Sequence, residues 1–233
     1  MRILVIGGTG CIGTPLVKLL ASGGVDVVSR RIMGKYERVN YISCDANELQ
    51  LIKQVIIDGG YDVIVDFMIY DVKNYKERLD IILDHCDQYI CMSTACVYEE
   101  PNQKEKITED TPLRYDNYSD DEKSNFNLYH IKKSRLDKIL LDSKWNNWTL
   151  IRPHITVNKS RFPLQYFHKE TWLYRALKDK KMIIDNQYLS CVQTITTAED
   201  VAFCIHKLIG NVTTLGQIYN VTSDKTITWS EPV

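Results

Sequence analysis

The chain alternates short, wholly apolar runs with longer stretches in which apolar residues recur every three or four positions. Ile3-Leu4-Val5-Ile6 has no polar face and runs straight into glycines, so it predicts a buried strand at 2–6. Residues 11–22 set Ile12, Leu16, Leu19 and Leu20 on one side of a helix. The same two textures repeat. They predict strands at 25–29, 39–43, 61–67, 88–93 and 148–152, and helices at 47–58, 74–85 and 122–143, with Asn47 capping the first of these. Continuously apolar strands separated by helices belong to a parallel sheet covered on both faces. The predicted fold class is therefore α/β, a doubly wound parallel sheet with its ligand crevice at the carboxyl ends of the strands. After Pro153 short pieces at 171–177, 193–197, 198–209 and 217–221 mix with loops. We read residues 1–152 as the core and 153–233 as a small mixed α/β lobe that partly returns to it.

Composition narrows the partners. The 29 basic and 30 acidic residues give a net charge of -1, and no basic block stands out, so nucleic acid is not an expected partner. No apolar run approaches the ~18–20 residues of a membrane span. The N-terminus reads as a strand and not as a signal peptide. Seven cysteines, an odd number, sit in a chain too large for a disulfide scaffold. Cys86, Cys91, Cys96 and Cys204 lie in apolar contexts, which predicts reduced core thiols and a cytoplasmic protein.

Gly7-Gly8-Thr9-Gly10-Cys11-Ile12-Gly13 follows the first strand directly. Gly7 permits the tight exit, Gly10 leaves room for a pyrophosphate, and Gly13 lets the helix pack on the sheet. The backbone of Thr9, Cys11 and Ile12 shares the turn, and the helix N-terminus offers free N–H groups to phosphate oxygens. At the end of the second strand an acid would read the ribose of NAD; here Ser29-Arg30-Arg31 contains none. Arg30 or Arg31 can face a 2′-phosphate or stack on adenine, which favours NADP within a general NAD(P) expectation, or the two can form a solvated surface pair. Asp45, followed by Ala46, is placed to accept from an adenine amino group or to cap the next helix. Nothing in the pattern suggests a metal.

Tyr129 and Lys133 are four residues apart on the long helix, on the face that continues as Leu136 and Leu140. A free tyrosine, with a pKa of about 10, moves protons poorly at neutral pH, and a neighbouring ammonium favours its phenolate. Ser93-Thr94-Ala95-Cys96-Val97-Tyr98 follows the fifth strand at another carboxyl end, where a hydroxyl can hold a substrate oxygen or simply build a turn.

The glycine turn, the Ser93–Tyr98 run and Tyr129-x-x-x-Lys133 occur in the order seen in the extended short-chain dehydrogenase/reductase (SDR) superfamily, and the chain resembles its NAD-dependent epimerase/dehydratase family. Ile151-Arg152-Pro153, Thr197-Ala198-Glu199-Asp200-Val201-Ala202 and Tyr219-Asn220-Val221 with Thr226-Ile227-Thr228-Trp229 extend the resemblance over nearly the whole chain. It implies an NAD(P)-binding Rossmann core and catalysis by Thr94, Tyr129 and Lys133. In that scheme Tyr129 is the acid/base, Lys133 holds the nicotinamide ribose, and Thr94 orients the substrate oxygen. Phe67 and Met68 run beside the cofactor, and Pro153 lies near the nicotinamide. It further implies an oxidoreductase or epimerase acting on a small molecule, a sugar-like alcohol or carbonyl linked to a nucleotide, and a homodimer through helices 74–85 and 122–143.

The chain also departs from the family. Ala95 and Cys96 stand where dehydratases of the family carry acids, which argues against 4,6-dehydration. Asp66-Phe67-Met68-Ile69 lacks the small residues usual at the fourth-strand exit, and an Asp there resembles atypical, RNA-associated members. The alternative reading is a non-catalytic NAD(P)-binding sensor or RNA-associated relative. In the C-terminal part Arg161, Tyr166 and Arg175 are candidates to meet a substrate phosphate or are surface residues.

Overall fold

A computed structural model describes residues 1–31, 34–69, 74–99, 106–114, 129–164 and 167–231. The first half alternates β1 (Ile3–Ile6), α1 (Gly13–Leu20), β2 (Val25–Ser29), β3 (Val39–Ser43), α2 (Leu49–Gly59), β4 (Val63–Asp66), α3 (Tyr75–Asp84) and β5 (Gln88–Met92). After it come α4 (Tyr129–Leu141), β6 (Trp148–Pro153), β7 (Ile155–Val157), α5 (Lys169–Leu177), α6 (Asn186–Leu189), β8 (Val192–Thr197), α7 (Ala198–Leu208), β9 (Gln217–Val221) and β10 (Thr226–Thr228).

Seven strands form one parallel sheet in the order β3-β2-β1-β4-β5-β6-β9. The chain winds outward in one direction from β1 to β3 and in the other from β4 to β9. The crevice therefore opens at the carboxyl ends of β1 and β4, where the direction switches. Alternation along β1 divides the core. Ile3 and Val5 pack with Leu16, Val17 and Leu20 of α1 and Val201 and Ile205 of α7. Leu4 and Ile6 pack on the other face with Ile52 and Ile56 of α2, Leu79 and Ile82 of α3, and Leu136 and Leu140 of α4. Each of these side chains is almost wholly buried, worth about 1.5–3 kcal/mol apiece relative to exposure.

The predicted strands and helices are all present, with shifted ends. The first helix begins at Gly13 because residues 10–12 are still in the turn. Asn47 does not cap the second helix. The Asp45 carboxylate accepts from the Asn47 backbone N–H at 3.0 Å and from its amide at 3.1 Å, and Glu48 becomes the N-cap. Of the helix predicted at 122–143, residues 122–128 lie outside the described residues and the helix ends at Leu141.

After Pro153 the chain does two different things. The segment from α7 to β9 completes the main sheet and its outer layer. Strands β10, β8 and β7 make a separate three-stranded sheet, antiparallel between β10 and β8 and parallel between β8 and β7. His154 alone separates β6 from β7, so the chain passes from the large sheet to the small one at the rim of the crevice. No described helix is long and apolar enough to cross a membrane. All seven cysteines are free, but Cys96, predicted in the core, is exposed. It falls in the short helical turn after β5 and its side chain lies at the crevice.

Candidate active site

Two cavities flank the glycine turn. One, of about 320 Å³, is lined by Gly7, Gly10 to Gly13, Phe67, Met68, Met92 to Thr94, Cys96, Tyr129, Lys133, Pro153 to Thr156, and Arg161. The other, of about 270 Å³, is lined by Gly7, Thr9, Gly10, Val28 to Arg31, Cys44 to Ala46, and Met68. Gly7, Gly10 and Met68 belong to both, so the two are neighbouring halves of one groove over the turn. Every candidate from Gly7 to Pro153 lines one half or the other, except Gly8, which the sequence did not single out for a role.

The glycines differ in what they do. Gly7 has φ +81°, and a Cβ there would meet Met68 Cγ at 2.7 Å. Gly8 faces the core: a Cβ would meet Val27 Cγ1 at 2.8 Å and Val17 Cγ2 at 2.9 Å. A Cβ on Gly13 would meet the Gly7 oxygen at 2.7 Å. Gly10 alone in this turn has space, its nearest neighbour being the Gly7 oxygen at 3.4 Å. The first three glycines serve the protein's own packing, whereas Gly10 lines the groove without being required by it. A turn of this shape at the start of α1 is a fitting cradle for a dinucleotide pyrophosphate.

At the end of the groove lined by Thr94 and Tyr129, Lys133 is buried and its Nζ donates to the Met92 carbonyl at 3.1 Å. Burial pushes its pKa below the ordinary lysine value, opposed by nearby Cys91, Asp137 and Asp66. Tyr129, one turn earlier, is 54% exposed and stands at the mouth of the same cavity. The predicted inward face thus begins at Lys133 and not at Tyr129. Thr94 is buried, and its Oγ1 accepts from the Cys96 N–H at 3.3 Å. That contact is the turn chemistry anticipated for it, and it leaves the hydroxyl proton able to donate into the cavity.

At the other end, Arg30 and Arg31 are exposed beside Ser29, whose Oγ accepts from the Arg31 N–H at 3.2 Å. Asp45 and Ala46 form the opposite wall. Of the three C-terminal candidates, Arg161 lines the larger cavity. Arg175 instead donates through Nε to the Lys181 carbonyl at 3.1 Å, closing the end of α5, and Tyr166 lies outside the described residues.

Asp66 does not face the groove. It is fully buried; its Oδ2 pairs with Arg78 Nη2 at 2.6 Å and its Oδ1 accepts from the Met68 N–H at 2.8 Å. Arg78 also donates to the Ala46 carbonyl at 2.7 Å. The acid at the fourth-strand exit is therefore a brace between β4, α3 and the Asp45–Ala46 wall.

Asp137 was not marked by the sequence, and Arg152, Tyr98 and Asn220 were named there only as parts of motifs. Asp137, on α4, is buried against Arg152 Nε at 2.9 Å. Arg152 Nη1 donates to the Tyr98 hydroxyl at 2.8 Å, which in turn donates to Asn220 Oδ1 at 2.7 Å. Burial raises the Asp137 pKa, and the Arg152 guanidinium opposes this. An arginine inside an otherwise apolar strand was the available signal. His154 and Thr156 also line the larger cavity, and nothing in their spacing marked them.

A family model described as the NAD dependent epimerase/dehydratase family matches residues 3–222. No curated protein matches the sequence. Among solved structures, a dTDP-glucose 4,6-dehydratase from Bacillus anthracis in complex with NAD is similar, with a TM-score of 0.76 at 18% identity over 99% of this chain and 78% of that one. A UDP-glucose 4-epimerase from Thermus thermophilus with NAD gives 0.72 at 20% identity over 99% and 80%. A UDP-glucuronic acid 4-epimerase from Bacillus cereus with NAD gives 0.72 at 17% over 98% and 79%. At these identities the likeness establishes the fold.

Proposed function

The chain belongs to the NAD dependent epimerase/dehydratase family, and from that premise we propose that it is an NAD(P)-dependent epimerase or reductase acting at a hydroxyl or carbonyl carbon of a sugar-like, nucleotide-linked substrate. The observation that carries the reading is that Thr94, Tyr129 and Lys133 line the same cavity as the glycine turn. Gly10 and the N-terminus of α1 would hold the cofactor pyrophosphate, Arg30 and the Asp45–Ala46 wall would flank the adenosine, and Pro153 would stand by the nicotinamide. The two arginines and the lack of an acid after β2 support NADP. When bound, the nicotinamide supplies hydride acceptance and return.

The protein's residues handle the proton. Thr94 donates to the substrate oxygen and holds it beside Tyr129. The Tyr129 hydroxyl gives a proton to that oxygen as the carbon is reduced, and its phenolate takes one from it as the carbon is oxidised. Lys133, fixed by Met92, puts an ammonium on the same helical face, where it orients the ribose and favours the phenolate. Ala95 and Cys96 supply no carboxyl for an elimination step, which supports epimerisation or reduction over dehydration.

The test has two parts. Native mass spectrometry of the purified protein identifies a bound dinucleotide and its phosphorylation state. Turnover of UDP-glucose, UDP-glucuronic acid and dTDP-glucose is then compared between the wild type and Tyr129→Phe. Loss of at least a hundredfold in kcat is expected, in keeping with the roughly 10²–10⁴-fold value of a positioned acid/base. Unchanged turnover in the variant, or no dinucleotide binding, overturns the reading.

A further inference from the structure

His154 stands at the junction of the two sheets, between Pro153 and Ile155, and lines the cavity shared by Thr94, Tyr129 and Lys133. Nδ1 lies 3.1 Å from the Thr194 carbonyl oxygen and 3.0 Å from Thr194 Oγ1. A carbonyl oxygen can only accept, so Nδ1 carries the proton and donates to both atoms. That fixes the tautomer: the other nitrogen, Nε2, keeps its lone pair. Thr194 is itself held. The Thr222 hydroxyl donates to its Oγ1 at 2.6 Å, and β8 pairs Thr194 with Thr226 of β10. Among the described residues no group hydrogen-bonds Nε2. With Nδ1 committed to β8, the ring edge carrying Nε2 is the one left to meet the cavity.

A neutral imidazole whose far nitrogen is tied to a rigid strand is how proteins present an oriented acceptor. Burial acts in the same direction, holding the His154 pKa below the ordinary histidine value and the ring uncharged. Of the other charged groups in the cavity, the Lys133 ammonium and the Arg161 guanidinium can only donate, and the Thr94 and Tyr129 hydroxyls are engaged by the reacting oxygen. An acceptor among them suits a hydroxyl other than the one being oxidised.

We propose that His154 is a specificity-determining residue of this site, accepting through Nε2 a hydrogen bond from a second hydroxyl of a polyhydroxylated substrate while Thr94 and Tyr129 hold the reacting oxygen. The proposal rests on the cofactor and substrate reading of the cavity given above. It adds to that reading a requirement on the substrate: at least one free hydroxyl near the reacting carbon.

Ring ¹⁵N NMR of the full chain labelled in histidine tests it, with Thr194→Val to assign the signal. The expected result is a neutral Nδ1–H ring for His154, with an Nε2 resonance that moves when NAD(P) and one of UDP-glucose, UDP-glucuronic acid or dTDP-glucose are added. An Nε2–H tautomer, or an Nε2 resonance that none of these complexes moves, overturns the proposal. In turnover, His154→Gln, which returns an acceptor, should lose less than His154→Leu. His154→Leu should lose roughly ten- to hundredfold in kcat/KM, the value of a hydrogen bond whose partner is left unpaired. Equal loss in both variants also overturns it. Dinucleotide binding is followed separately in the wild type by calorimetry. Its absence defeats the cofactor reading, whereas an Nε2–H tautomer with binding intact defeats only the role given to His154.

Discussion

Asn158 donates from its side-chain amide to the Cys11 carbonyl at 3.0 Å, joining the loop after β7 to the glycine turn across 147 residues of sequence. The same side chain's Oδ1 accepts from the Ser160 N–H at 2.8 Å, the Ser160 hydroxyl at 2.7 Å and the Arg161 N–H at 2.9 Å. One amide thus shapes the loop that carries Arg161 and anchors it beside the turn. Arg161 is close enough to act electrostatically on the Cys11 thiol, opposing the rise that burial causes. Asn158→Ala should weaken dinucleotide binding about tenfold, since each lost hydrogen bond is worth about 0.5–1.5 kcal/mol and the arginine is released with them. Asn158→Asp, which cannot donate to Cys11 and adds a negative charge beside the glycine turn, should weaken it more. Fluorescence titration with NADH and NADPH measures both.

Two neighbouring glycines should fail in different ways. A methyl group on Gly8 meets Val27 and Val17 inside 3.0 Å, so Gly8→Ala overpacks the contact of α1 with the sheet. It should lower stability by about 1–3 kcal/mol, read as a drop in thermal midpoint. A methyl group on Gly10 meets nothing closer than 3.4 Å. Gly10→Ala should leave the midpoint nearly unchanged and still reduce dinucleotide affinity, because the methyl occupies ligand space. Thermal melts paired with titrations separate the two.

That contrast shows what the sequence discloses and what it withholds. Apolar runs and amphipathic periods announced the sheet and its helices, because both faces of every strand must be covered. The three-residue glycine spacing marked the turn, yet it concealed Gly8, whose reason lies in Val17 and Val27. Thr94, Tyr129 and Lys133 were legible because they fall at a strand end or at helical spacing. Asp66 was noted only as unlike the family at the fourth-strand exit; its role as a brace depends on Arg78, twelve positions on, and could not be read from the strand alone. His154 was silent, since its meaning depends on Thr194, forty residues away on β8.

The Asp137–Arg152 pair braces α4, the helix that carries Tyr129 and Lys133. Asp137 lies one turn beyond Lys133 on α4, and Arg152 lies on β6 just before Pro153. Both side chains are nearly inaccessible, so removing either partner strands a buried charge. Asp137→Ala should cost about 3–5 kcal/mol in stability. Replacing both, as Asp137→Leu with Arg152→Met, should cost clearly less than the sum of the single changes, because no charge is left without its partner. A urea-denaturation double-mutant cycle checks this. Strict additivity would mean that the pair contributes no coupling and does not brace the helix.

Buried thiols should make the fold sensitive to alkali. Burial pushes Cys86 and Cys91 from the ordinary 9.0 up to about 12. Between those values the folded chain keeps protons that the unfolded chain releases, so their contribution is fully present below pH 9 and is lost as pH rises towards 12. Each thiol should remove about 1.4 kcal/mol of unfolding free energy per pH unit within that window, or about 3 kcal/mol for both at pH 10 relative to pH 8. Tyr61, Tyr75 and Tyr89 are raised by burial as well and steepen the loss above pH 10. Urea midpoints measured from pH 8 to 10 should therefore fall in the wild type. The paired change Cys86→Ala with Cys91→Ala should start from a lower midpoint, because it leaves a cavity beside Tyr75, and then fall less steeply. A wild-type slope that survives the double substitution unchanged would assign the alkaline loss to other groups.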